Sequence, residues 1–204
     1  CIESLKHQTL HNIEILFVDD CSTDSSPTLL EDFRKADHRV QIHRLQHNSG
    51  PAVARNAGLD RARGRYVRFV DADDIVPPTS TETLFSVAVR DSAEIVRGNC
   101  VVFRQGSEKN TFPARNIFQV TDQAGLAYRR ENFHGLPLFH QAFLFDRRFL
   151  EKHELRYPKL RIGEDPVFVL AALLNSVAAS TVSGIVYQYR AHKSLDHRFA
   201  VESE

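Results

Sequence analysis

The sequence has no methionine, no tryptophan and only three cysteines, and its 26 basic side chains balance 26 acidic ones. Each absence excludes something. A chain without a basic excess lacks the electrostatic footprint of a general nucleic-acid binder. Cys1, Cys21 and Cys100 are odd in number and widely spaced, with no CxxC, so they read as free thiols in a reducing compartment rather than as a disulfide framework or a zinc site. The longest apolar run, VFVLAALLNSVAAS at 167–180, is broken by Asn175 and Ser176. It falls short of the roughly 20 residues a membrane helix needs. The first residues show no signal-peptide pattern, and no linker, repeat or low-complexity tract interrupts the chain. Because it opens on Cys1 without an initiator methionine, the chain reads as a fragment of a longer one.

What is present is ordinary for a globular protein: 204 residues, 42% of them hydrophobic and 25% charged. That length suits one domain. The first half alternates strand-like and helix-like segments. The run 13–18 (IEILFV) and the segment 40–45 (VQIHRL) read as strands, and 66–71 (YVRFVD) as a third. Ser26-Pro27 opens a helix with Ser26 as its cap. Pro51 opens another, which Gly64 is expected to close, and a third runs from 79 to 90. In the second half, 94–104 and 184–192 read as strands. Helices are expected at 121–130 and 146–153, and from Glu164-Asp165-Pro166 to Leu174. The last is apolar on nearly every side and is expected to be buried. This order implies an α/β fold with a largely parallel sheet.

Five groups of residues carry chemistry. Asp71-Ala72-Asp73-Asp74 puts three carboxylates at the end of a strand, where ligands bind in open α/β sheets. Hard oxygens there suit Mg²⁺ or Mn²⁺, although a polar loop with a helix cap would look the same. Asp19-Asp20 follow an earlier strand and either accept hydrogen bonds from a base and a ribose or shape a solvated turn. Glu164-Asp165 at a helix start serve either as an N-cap or as a general base. Arg55, within SGPAVARNAG, either meets a phosphate at a helix N-terminus or lies on a helix surface. Arg190 and His192 follow the last strand and either neutralise a diphosphate, with His192 also able to ligate metal, or form a basic tail. The remaining histidines have no zinc spacing and are read as surface or structural.

Taken together, FVDDCSTDSS, NSGPAVARNAGLDRARGRYVRFVDADD, RIGEDPVF and YQYRAHKS resemble glycosyltransferase family 2 in order and spacing. CIESLKHQTL is similar to the family's first helix. The resemblance is strong over 1–78, moderate over 141–194 and weak over 98–135. It implies a GT-A fold: a Rossmann-like three-layer α/β/α sandwich around a mixed, mainly parallel sheet. One domain is implied, with a nucleotide-sugar donor-binding half at about 1–97 and an acceptor-binding half with the catalytic base at about 98–204.

The implied activity is metal-dependent transfer of a sugar, with inversion, from a nucleotide-sugar (UDP-sugar) to an acceptor hydroxyl. The acceptor would be a saccharide or lipid-linked, in cell-surface polysaccharide or glycolipid synthesis. The implied setting is cytoplasmic, extending to peripheral contact with the inner face of the membrane, with no nucleic-acid partner. By the same resemblance Asp19 and Asp20 hold the base and ribose, and Arg55 sits near the nucleotide. Asp73 is the metal ligand, joined by Asp71, which also lies near the ribose or sugar. Asp165 is the base with Glu164 beside it, and Arg190 and His192 lie near the diphosphate.

Two departures stand out. Cys21 occupies a position the family gives to glycine, so the loop backbone is expected to differ there. The family's first strand and a nucleotide-contacting segment after it would precede Cys1. Three other readings share features with this one. An aspartyl phosphatase would use Asp71 as nucleophile. A sugar nucleotidyltransferase would need a Gly-rich N-terminal loop. A degenerate nucleotide-binding domain would bind without turnover. Phe133, Leu136, Leu138 and Phe139 either pack the core or meet an apolar acceptor.

Overall fold

The computed structural model describes residues 1–103, 119–127, 138–160 and 162–191. The chain runs α1 (Ile2–Lys6), β1 (Ile15–Asp19), α2 (Ser26–Ala36), β2 (Val40–Arg44), α3 (Pro51–Leu59), β3 (Tyr66–Val67) and α4 (Ser80–Arg90). It continues through β4 (Ile95–Phe103), β5 (Gln123–Leu126), a 3₁₀ turn at His140–Ala142, β6 (Phe143–Asp146), α5 (Arg147–Lys152), α6 (Glu164–Asn175) and β7 (Ala179–Arg190). β1 and β2 form a parallel pair, and the other five strands form one sheet in the order β3-β6-β4-β7-β5. Within it β4 and β7 are parallel, while β6 runs against both β3 and β4, and β5 against β7. β3, β4 and β7 therefore share a direction, and the architecture is α/β with a mixed, mostly parallel set of strands.

The main core gathers aromatic side chains around Phe69. Phe145, Tyr157 and Phe168 meet its ring edge-on, with centroids 6.3, 5.0 and 5.7 Å away. A second, smaller core of Ile15, Phe33 and Val40 lies under β1 and β2. Between β1 and the 64–72 segment lies a cavity of about 930 Å³. Asn12–Val18 line one side and Gly64–Ala72 the other, with Leu5 of α1, Gln8 just after it, and Ala54 and Arg55 of α3 also contributing.

Several boundaries differ from the sequence expectation, each for a local reason. α2 starts at Ser26 with Ser25 as its cap, so Pro27 is the second helical residue. α3 stops at Leu59, not near Gly64, because the Glu14 carboxylate captures the N–H groups of Arg63 and Gly64 (2.6 and 2.9 Å) and turns the chain toward β1. Of 66–71 only Tyr66–Val67 join a ladder, with β6. Beyond them the buried Arg68 guanidinium donates to Ser80, Thr81 and the Val186 carbonyl. The helix expected over 121–130 is a strand at 123–126. Asn99 fixes Val120 through both halves of its amide, and Asp122 accepts from the Ser183 N–H, so tertiary pairing overrides helix propensity. β7 starts at Ala179, five residues before the expected 184. α6 is not buried all round: Val167 and Leu174 are 47% and 51% exposed. All three cysteines are free thiols.

Cys21 holds φ at 62°, a left-handed conformation that favours glycine. The loop backbone there is thus one that glycine would adopt, and the cysteine carries the strain.

Candidate active site

The segment after β3, α3, the end of β7 and the start of α6 bring Arg55, Asp71, Asp73, Asp74, Glu164, Asp165 and Arg190 to one region, while Asp19 and Asp20 lie at the end of β1. β3 and β7 are not neighbours in the sheet, but the chain after β3 crosses to β7, where Ile75 bridges Gln188 and the Asp71–Asp74 loop meets Tyr187 and Arg190. The Asp71–Asp74 loop is tied down by that strand. The Asp71 N–H donates to the Tyr187 hydroxyl (3.0 Å), which donates to Asp74 Oδ2 (2.7 Å). Arg190 donates its N–H to Asp74 Oδ1 (2.7 Å) and its Nε to the Asp73 carbonyl (2.6 Å). Ile75 and Gln188 complete the junction as a backbone bridge. Asp74 is fully buried. Burial, helped by the charges of Asp73 and Asp71, pushes its carboxyl up to about 6 against the pull of these donors.

Arg55 is the hub. From α3 its Nη2 donates to Asp71 Oδ1 (3.0 Å) and its Nη1 to Glu164 Oε1 (2.8 Å). Its guanidinium lies 5.4 Å from the centre of the Tyr157 ring. One planar fork thus joins the strand-end carboxylate of the first half to the helix-start carboxylate of the second. Gln141 Nε2 donates to the other oxygen of Asp71 (2.7 Å). Burial alone would raise the Asp71 carboxyl, but His140, Arg55 and Gln141 outweigh it and hold the group well below the carboxylate range.

Asp165, next to Glu164, stands differently. Burial raises its carboxyl above the ordinary value, the Glu164 charge adds to this, and His140 and Arg55 oppose it. Glu164 is ion-paired with Arg55. Asp165 is thus left without the guanidinium that Glu164 holds.

Asp19 and Asp20 separate in role. Both oxygens of Asp20 accept backbone N–H groups at the start of α3, from Ser49 (2.7 Å) and Gly50 (2.8 Å), so it clamps the loop. Asp19 accepts from the Ser22 N–H (2.9 Å) and lies 3.2 Å from Arg44 Nε. Its buried Oδ2 is the oxygen that Arg44 faces, in an ion pair without hydrogen-bond geometry. Such a buried acceptor is one a ligand donor would satisfy.

The donor chemistry fits a hard cation, on different terms from the sequence expectation. Among the described residues no three His, Cys, Asp or Glu side chains converge as a protein-made metal centre would require. Asp71 already faces Arg55 and Gln141. Asp73 is exposed. That arrangement suits Mg²⁺ or Mn²⁺ held by one carboxylate together with oxygens of a bound phosphate.

Sequence reasoning missed four contributors: His140, Gln141, Tyr157 and Tyr187. His140 is not a surface histidine: it is fully buried between Asp71 and Asp165. Tyr187 had a readable signal, since it lies three residues before Arg190 in YQYR and two before Tyr189, on the same strand face. His192, Phe133 and Leu136 lie outside the described residues. Leu138 packs partly against the core, whereas Phe139 is 40% exposed.

The sequence pattern of Glycosyl transferase family 2 matches residues 1–154. The succinoglycan biosynthesis protein ExoO of Rhizobium meliloti (strain 1021) is 32% identical over 200 residues, covering 93% of this chain and 56% of the relative. The uncharacterized glycosyltransferase EpsJ of Bacillus subtilis (strain 168) is 31% identical over 195 residues, covering 93% and 56%. The chain thus spans a little more than half the length of these curated relatives. Among solved structures, S. aureus TarS 1-349 in complex with UDP-GlcNAc superimposes with a TM-score of 0.81 at 22% identity, over 99% of this chain and 57% of that 1-349 chain. At that identity the likeness shows the fold, which is that of a GT-A glycosyltransferase.

Proposed function

The chain belongs to glycosyl transferase family 2, and from that premise we propose that it transfers a sugar from a UDP-sugar to an acceptor hydroxyl in polysaccharide synthesis. The observation that carries this reading is the Arg55 bridge, which sets the strand-end carboxylates of the donor half against Glu164 and Asp165 of the acceptor half. UDP is favoured because the solved relative of the same fold was captured with UDP-GlcNAc.

In this reading Asp19 takes the nucleoside through its Oδ2, which has the Arg44 ion pair but no hydrogen bond of its own, and Asp20 shapes the loop that receives it. Asp71, kept ionised and fixed by Arg55 and Gln141, orients the sugar or ribose. Asp73 holds Mg²⁺ or Mn²⁺ against the diphosphate, and Arg190 adds positive charge beside it. When bound, such a cation supplies Lewis-acid stabilisation of the departing diphosphate. Asp165 removes the acceptor's proton from the face opposite the leaving group, and this single displacement inverts the anomeric centre. The logic parallels an inverting glycosidase, with the acceptor in place of water. Among the described residues no helix is long and apolar enough to cross a membrane. A peripheral contact with the membrane's inner face, at the site of a lipid-linked acceptor, is part of the same proposal.

The test is calorimetric binding of UDP with and without Mn²⁺, followed by UDP release from UDP-GlcNAc. Asp73→Asn is expected to abolish the metal dependence of binding. Asp165→Asn is expected to keep UDP binding and lose at least about 100-fold in turnover. Equal turnover by Asp165→Asn and the parent chain would remove Asp165 from the base role.

A further inference from the structure

His140 is fully buried, and neither ring nitrogen has a hydrogen-bond partner among the described residues. Two unpaired ring nitrogens in a core are expensive, because a buried polar group without a partner keeps its full desolvation penalty. A phenylalanine would fill this aromatic box without that penalty, since Phe69 and Tyr157 meet the ring edge-on at 5.8 and 5.6 Å. Those two rings fix the imidazole plane. In that plane Nδ1 faces Asp165 Oδ2 at 3.8 Å and Nε2 faces Asp71 Oδ1 at 3.7 Å. Each gap is about 1 Å longer than a hydrogen bond, the kind of distance that closes when a ligand tightens an active site.

We propose that His140 is a positioning residue that holds Asp165 in its working orientation by donating Nδ1–H to it. This rests on the reading of Asp165 as the base. The proton is assigned to Nδ1 because Asp71 already accepts from Arg55 and Gln141, whereas Asp165 has no comparable donor. The other groups facing Asp165 are Glu164 on its own helix, Arg55 on α3 and the Tyr157 hydroxyl on the segment after α5. Arg55 is committed to Asp71 and Glu164, and Glu164 repels. The Tyr157 hydroxyl, like the imidazole, has no hydrogen-bond partner among the described residues; the imidazole is chosen because its Nδ1 stands 3.8 Å from Asp165 Oδ2. It also opposes the burial that raises the Asp165 carboxyl.

Two variants separate positioning from packing. His140→Phe keeps the ring and removes both nitrogens. His140→Asn places an amide near the Nδ1 position and restores a donor toward Asp165. In UDP release from UDP-GlcNAc, His140→Phe is expected to lose about 10- to 100-fold in kcat, with KM changed less than 3-fold. The acidic limb of its kcat profile should move to higher pH, and His140→Asn should recover most of both losses. Carboxyl ¹³C titration of Asp165, assigned against Asp165→Asn, gives the same answer without turnover: a higher midpoint in His140→Phe and a recovered one in His140→Asn. An unchanged midpoint in folded His140→Phe overturns the proposal, as does a midpoint that moves equally in both variants. If the midpoint responds as expected but the parent chain releases no UDP, His140 still positions Asp165, and the base reading fails instead.

Discussion

Asp74 shows how the site is held at the level of one residue. In an unfolded chain its carboxyl ionises near its ordinary 3.8, but in the folded protein it stays protonated up to about 6. The folded state therefore binds more protons between those values. Its contribution is neutral below pH 3.8 and becomes an increasing cost as the pH rises to 6, beyond which the cost is complete. Asp74→Asn cannot ionise and escapes this cost. Between pH 4.5 and 7.5 its stability should improve relative to the parent by about 2 kcal/mol, read by urea unfolding at both values. A difference independent of pH would mean that Asp74 is ionised in the folded state throughout. The carboxylates themselves were legible, because each sits beside a strand end or helix start where sequence alone places a polar turn. Their partners were not. Arg55 reaches Glu164 across 109 positions, Gln141 reaches Asp71 across 70, and Tyr187 reaches Asp74 across 113. Nothing local in a sequence encodes a hydrogen bond of that span.

At the scale of elements, the long parallel pair β4 and β7 carries the site's rear wall. Its register slips between Arg97 and Asn99 and again between Asn99 and Cys100. Gly98 sits at the slip, and a Cβ there would lie 2.5 Å from Val186 Cγ1, against a side chain that is itself buried. Gly98→Ala should therefore destabilise by about 1–3 kcal/mol through overpacking. Val186→Ala opens that space and should rescue much of the loss. A double-mutant cycle in urea is the measurement, and additive losses would show that the two side chains do not collide. The segments read as strands at 13–18 and 94–104 located β1 and β4 within two residues. β5 was read as helix because its pairing depends on Asn99, Thr181 and Ser183, all contributed by distant strands. The short ladder of β3 was equally hidden, since a strand's length is set by its neighbours and not by its own composition.

Among the described residues two cores lie on either side of the cavity between β1 and the 64–72 segment. This gap has a strand's proportions. Extended chain rises about 3.3 Å per residue, in a ladder spaced about 4.8 Å and a layer about 10 Å thick. About six residues of strand therefore occupy the volume of the cavity. The edges on either side are β1 and β3, which belong to different sheets. A strand inserted there would join them into one and merge the two cores. Cys1 lines the cavity, so a loop could lead to it from an added segment. Fusing a six-residue apolar strand and a short connecting loop ahead of Cys1 is expected to raise Tm by at least about 5 °C, since each kcal/mol is worth about 2–4 °C at this size. A fused strand of the same length with charged residues on both faces should give no rise, because it would bury unpaired charge. If both fusions left Tm unchanged, the cavity would not be a strand site. A rise confined to the apolar strand, with tighter UDP binding, would tie completion of the sheet to the Arg55 and Asp71 end of the same cavity.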